Sequence, residues 1–255
     1  MAEPTLLLDA ALALVSALVF AQVGRASMRR RIQGDGRLAA TLFGVWWNGL
    51  AAILLANAIM RVLAFAGVTD LNVFLTLMYV NALVLCVALW ALLYYLVYLF
   101  TGNKELMVPI SAFYVACYAF LMYFVTYQRP ASVRIEPWEI GINFERELTG
   151  APVVMLVLLI MLPPVLGAIN YARLYRRVTD PTQKYRIGLI SLTIIAWFGS
   201  ALVAYTAGMG DQIWWSVGSR IVALAAAWLI YIAYRPPAWV RARYGIRAID
   251  APART

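Results

Sequence analysis

Seven long apolar stretches separated by short polar runs organise the chain: Thr5–Val23, Leu38–Ala66, Asn72–Thr101, Leu106–Tyr127, Ala151–Tyr175, Tyr185–Met209 and Ile213–Tyr234. A bilayer core about 30 Å thick is crossed by roughly 20 apolar residues in a helix, and each stretch is of that order. Transmembrane strands would instead alternate in polarity over about ten residues, so the pattern excludes a β-barrel. The predicted fold is an all-α membrane protein, one seven-transmembrane-helix bundle over residues 1–235. An outer loop occupies 128–150 and a basic juxtamembrane tail 236–255. The first stretch is expected to remain as a helix rather than be cleaved as a signal peptide, since Glu3 and no base precede it while "RASMRRR" follows. Composition agrees with the pattern, at 64% apolar and 13% charged residues with a mean hydropathy of +0.78.

The bases then orient the bundle. Arg25, Arg29, Arg30, Arg31 and Arg37 follow the first stretch and Lys104 the third. Arg173, Arg176, Arg177, Lys184 and Arg186 surround the fifth connection, and Arg235, Arg241, Arg243, Arg247 and Arg254 follow the seventh stretch. These sixteen face only four acids, whereas the opposite side holds Arg129, Arg134 and Arg146 against eight acids. By the positive-inside rule the N-terminus is outside and the C-terminus cytoplasmic. The net charge of +9 is thereby explained by topology and attraction to anionic lipid, and no nucleic-acid partner is expected. The expected location is a prokaryotic cytoplasmic (inner) membrane, with membrane lipids as partners.

Absences restrict the chemistry. With no histidine, the common haem, zinc, copper and Ser-His arrangements are missing, so neither a cofactor, a metal nor an enzymatic activity is expected. Cys86 and Cys117 lie mid-span, where packing is the simpler role. The segment "GMGD", Gly208–Asp211, has the form of an intramembrane aspartyl protease motif, but Asp211 sits in a short outer turn and no YD-type partner stands within a span to share its proton. Asp211 reads more simply as a cap of helix seven. In helix number and orientation the chain resembles the microbial rhodopsins, which hold retinal as a Schiff base on a lysine of helix seven. Ile213–Tyr234 contains no lysine, and an arginine has no neutral amine to condense, so retinal is not expected to attach there.

Polar groups concentrate in the outer half. Helix two sets Asn57 and Arg61 on one face, with Arg61 about 8 Å below its outer end, and helix seven sets Arg220 about 10 Å below the same surface. Asp9 enters from helix one, Asn81 from helix three and Tyr205 from helix six. The inner half offers Gln22, Asn48 and Asn170. An arginine deep in a span costs at least about 2.5 kcal/mol, so such residues normally face the bundle and have partners. Arg61 and Arg220 either tie helix ends together through Asp9 and Asp211, or line an outward-facing cavity. In the cavity reading, Arg61, Arg220, Asn57, Asn81, Asp9 and Tyr205 hold a small anionic or amphipathic ligand.

Other features read as packing. The tyrosines from Tyr94 to Tyr127 suit core and interfacial belt, Pro163 and Pro164 are expected to break the hydrogen-bond ladder of helix five and kink it near mid-membrane, and Gly44, Gly49, Gly167, Gly188, Gly199 and Gly218 to admit close helix approach. The acidic loop 128–148 is expected to lie over the helix ends as a solvated cover or a lid. Three functions remain: a receptor-like or sensory protein acting through a partner membrane or signalling protein, a small transporter or channel, or a structural subunit of a larger membrane complex.

Overall fold

The computed structural model describes residues 4–28, 36–137, 139–147, 150–207 and 213–245. It contains seven long helices: α1 (Pro4–Met28), α2 (Gly36–Phe65), α3 (Leu71–Thr101), α4 (Met107–Gln128), α5 (Ala151–Arg177), α6 (Pro181–Ala207) and α7 (Ile213–Tyr234). A short α8 (Ala238–Tyr244) follows. The boundaries lie within a few residues of the hydropathy pattern because turn chemistry stops each run. Asp70 accepts from the Asn72 amide at 2.8 Å to start α3, and Gly102, at φ 66°, closes it. Asp180 accepts from the Gln183 amide at the start of α6.

Among the described residues, α1 to α4 are each long and apolar enough to cross a membrane, and Arg220–Tyr234 with Ala238–Tyr244, bent by 53°, makes a fifth candidate. The molecule is thus a helical integral membrane protein. Helices α5 and α6, at 27 residues each, are about 40 Å long by the rise of an α-helix. Pro163 and Pro164 both lie inside α5, which runs on through them. Each proline removes a single ladder donor, and both lie buried where neighbouring packing holds the turn.

The all-helical expectation missed one element. Within the acidic loop, β1 (Pro130–Glu136) pairs antiparallel with β2 (Glu139–Phe144), placing Val133 opposite Ile142 and Ile135 opposite Ile140. These four share one face of the pleat, and the other carries Ser132, Arg134 and Glu136. The apolar face covers a cluster formed by Leu6 of α1, Ala64 of α2 and Phe74 of α3. The hairpin therefore caps these three helix ends as a cover. We call this the hairpin end and the opposite one, where the bases gather, the basic end.

Aromatic rings fill the middle. Phe20 stacks on Trp47 at 5.3 Å and meets Trp197 edge-on at 5.2 Å, while Trp46 stacks on Phe198 at 5.8 Å. Helices α1, α2 and α3 approach closely through small residues. A Cβ added to Gly49 would lie 2.7 Å from the Ala88 Cβ, and one on Gly24 2.6 Å from the Asn48 side chain. Gly44 is equally tight against Met28, whereas Gly199 and Gly218 face open space and play no such part. We expect Gly49→Ala to destabilise the bundle by about 1–3 kcal/mol, through overpacking at α2–α3. Adding Ala88→Gly should restore most of the loss in thermal unfolding. An unaltered transition for the single variant would contradict this packing.

Candidate functional site

One turn beneath the hairpin, three helices converge on a single carboxylate. Asp9 follows Leu6 by three positions on α1, and Arg61 precedes Ala64 by three on α2, so both lie directly under the hairpin-covered cluster. Asp9 is fully buried and Arg61 nearly so. The Arg61 Nε donates to Asp9 Oδ2, and its Nη1 donates to the Asn57 carbonyl at 2.9 Å, four residues back along α2. The second carboxylate oxygen, Oδ1, lies 2.9 Å from Nε of Arg220 on α7. This contact is an ion pair without hydrogen-bond alignment, and the Arg220 side chain stays 33% exposed against 7% for Arg61.

The inference that Arg61 and Arg220 lie at one depth is met geometrically, since both reach Asp9. Asn57 and Asn81 also come together, the Asn81 Nδ2 donating to the Asn57 Oδ1 at 3.2 Å. Tyr205 belongs to α6, but its side chain lies outside the described residues, as does the whole Gly208–Asp211 segment. The expected opening to the outer side is corrected at Asp9 and Arg61: Leu6, Ala64, Phe74 and the hairpin seal them, and the accessible edge is Arg220. Sequence reasoning overlooked Thr5, one turn before Asp9 on the same face, whose buried hydroxyl has no hydrogen-bond partner among the described residues. The amide oxygen of Asn81 is likewise buried and unpartnered there.

Electrostatically, among the described residues two guanidiniums share one carboxylate, leaving about one positive charge. Arg61 is compensated on both sides by Asp9 and the Asn57 carbonyl, whereas among the described residues Arg220 meets Asp9 through Nε. Further up, the charges of the hairpin are paired more loosely, Arg134 with Glu136 at 3.6 Å and Arg129 with Glu145 at 3.8 Å, all exposed. Cys86 is buried and Cys117 half-buried, both as free thiols. Among the described residues no cluster of three metal-ligating side chains occurs.

The class the fold and site define is a helical membrane protein with an ion-paired cluster at one end of its bundle. No protein-family model, curated protein or solved structure matches the chain.

Proposed function

We propose that this chain is a receptor-like, non-enzymatic seven-helix protein of a prokaryotic cytoplasmic membrane. It binds a small anion at Arg220 and acts through a partner at its basic, cytoplasmic end. The observation that carries the reading is the asymmetry of the Asp9 contacts: aligned toward Arg61, whose side chain is buried, and unaligned toward Arg220, whose side chain stays 33% exposed beyond a buried Nε. An excess positive charge in a poorly solvated setting favours entry of an anion. A ligand carboxylate or phosphate meets a guanidinium in bidentate fashion, better than Asp9 does through one Nε. It would take Arg220 from Asp9 and leave Asp9 with Arg61. The α1–α2 tie then persists while the α1–α7 tie opens, with Asn57, Asn81 and Thr5 at hand for further hydrogen bonds.

Release of α7 has a route to the other face, because α7 continues past Pro236 and Pro237 into α8, where Val240 is buried and Arg241 and Arg243 are exposed. A conduction reading is weakened by the aromatic layer of Phe20, Trp46, Trp47, Trp197 and Phe198. It lies about 16 Å below Asp9 along α1 and packs into the hydrophobic core. Spin labels at Leu8 and Ile221, exposed neighbours of Asp9 and Arg220, test the proposal. A panel of small carboxylates and phosphates should contain at least one that lengthens or broadens the α1–α7 distance; a distance indifferent to all of them would sink it.

The membrane orientation rests on the charge split. With Cys86 and Cys117 replaced by alanine, a cysteine at exposed Ser132 should label from outside and one at exposed Gln183 should not. The reverse pattern would overturn the orientation.

A second reading, a subunit of a larger complex, draws on α4, in which Tyr114 and Phe124 alone are buried among 22 residues. Native mass spectrometry from membranes would then find the chain in a stoichiometric complex.

A further inference from the structure

We infer that a second site, at the basic end of the bundle, takes an anionic phospholipid, with part of an acyl chain between the helices and the phosphate on a ring of cations. A partly open cavity of about 290 Å³ lies there between α1, α2, α3, α5, α6 and α7. Its volume is that of about ten waters at ~30 Å³ each, but its walls are largely apolar, with Ala40, Leu99, Leu174, Ile187 and Ile190 among them. Hydrocarbon fills such a space more favourably than water does.

Three phenols, Tyr95, Tyr171 and Tyr234, interrupt the apolar lining. The hydroxyls of Tyr171 and Tyr95 lie 3.3 Å apart, so one donates to the other and one phenolic proton of the pair remains for an outside acceptor. An ester carbonyl near the head of a phospholipid is such an acceptor, whereas a plain hydrocarbon has none.

The rim supplies the charge. Arg37 precedes Ala40 by three positions on α2, Lys184 precedes Ile187 by three on α6, and Arg177 follows Leu174 by three on α5. Residues so spaced share a helix face, so three walls of the cavity each carry an exposed cation one turn nearer the basic end. Arg235, next to Tyr234, adds a fourth on α7. Asp180, at the same end, is engaged in capping α6. Basic residues gathered around a gap between transmembrane helices on the inner side match the chemistry of anionic lipid headgroups.

The arrangement is independent of the Asp9 cluster, from which the aromatic layer separates it. The test is thermal unfolding of the purified chain in nonionic detergent with added dioleoylphosphatidylglycerol, dioleoylphosphatidylcholine or inorganic phosphate. Phosphatidylglycerol should raise the transition at concentrations where the other two do not. In Arg177→Gln/Lys184→Gln, whose exposed positions leave folding intact, the apparent affinity should fall about twenty-fivefold, at roughly fivefold per cation near a lipid headgroup. Ala40→Phe, which fills the cavity, should weaken the same response, and Arg220→Gln should leave it unchanged. Equal responses to the two phospholipids would mean that the bases mark topology only. That result, a full effect from phosphate alone that persists in Arg220→Gln, or a native-like response of the Arg177/Lys184 variant would overturn the site.

Discussion

Asp9→Asn is expected to destabilise the bundle strongly, lowering stability by about 3–5 kcal/mol. The carboxylate is fully buried, and it is the one acid that both Arg61 and Arg220 contact. Asparagine fills the same space but leaves two guanidiniums facing one another with no countercharge. The penalty arises from stranded charges rather than from lost attraction, which leads to a second expectation. Replacing all three residues together, as Asp9→Leu/Arg61→Met/Arg220→Met, should cost little or even stabilise, because a buried ion cluster rarely outperforms well-packed apolar side chains. Thermal unfolding in a mild detergent separates the two outcomes. A single variant within about 1 kcal/mol of the native chain would show that the cluster does not tie the helices together.

The two arginines should then differ sharply. Arg61→Gln removes a buried guanidinium bonded to both Asp9 and the Asn57 carbonyl, and strands the carboxylate with a poorly aligned partner. Its expected cost is again about 3–5 kcal/mol. Arg220→Gln removes a partly exposed guanidinium and leaves a neutral Asp9–Arg61 pair, so the loss should stay near 1 kcal/mol or below. Equal losses would mean that Arg220 is as structural as Arg61, and its availability to a ligand would fall away.

Much of this geometry was legible from depth alone. Helix rise fixes how far Arg61 and Arg220 lie from their helix ends, and the cost of a charge in hydrocarbon requires them to find Asp9. What depth cannot give is rotation about each helix axis. That is why Thr5, on the Asp9 face, went unseen, and why an open cavity was expected where Leu6 and Ala64 close the way. The hairpin was written plainly enough: "SVRIEPWEIGIN" alternates in polarity about a turn, but so short a signal is faint beside spans of more than 20 residues. The tyrosine cavity had no local signature at all. Tyr95, Tyr171 and Tyr234 come from three helices, and no spacing in the chain brings them together.

The most direct test of an exchangeable Arg220 is the stabilisation of the native chain and of Arg220→Gln by small carboxylates and phosphates. A ligand at a hundred times its Kd raises stability by about 2.7 kcal/mol through mass action. At least one member of the panel should lift the native thermal transition by an amount of that order and leave Arg220→Gln almost unmoved. If none shifts the native chain, or if the variant is shifted equally, the Asp9 cluster is a fixed helix tie and not a ligand site.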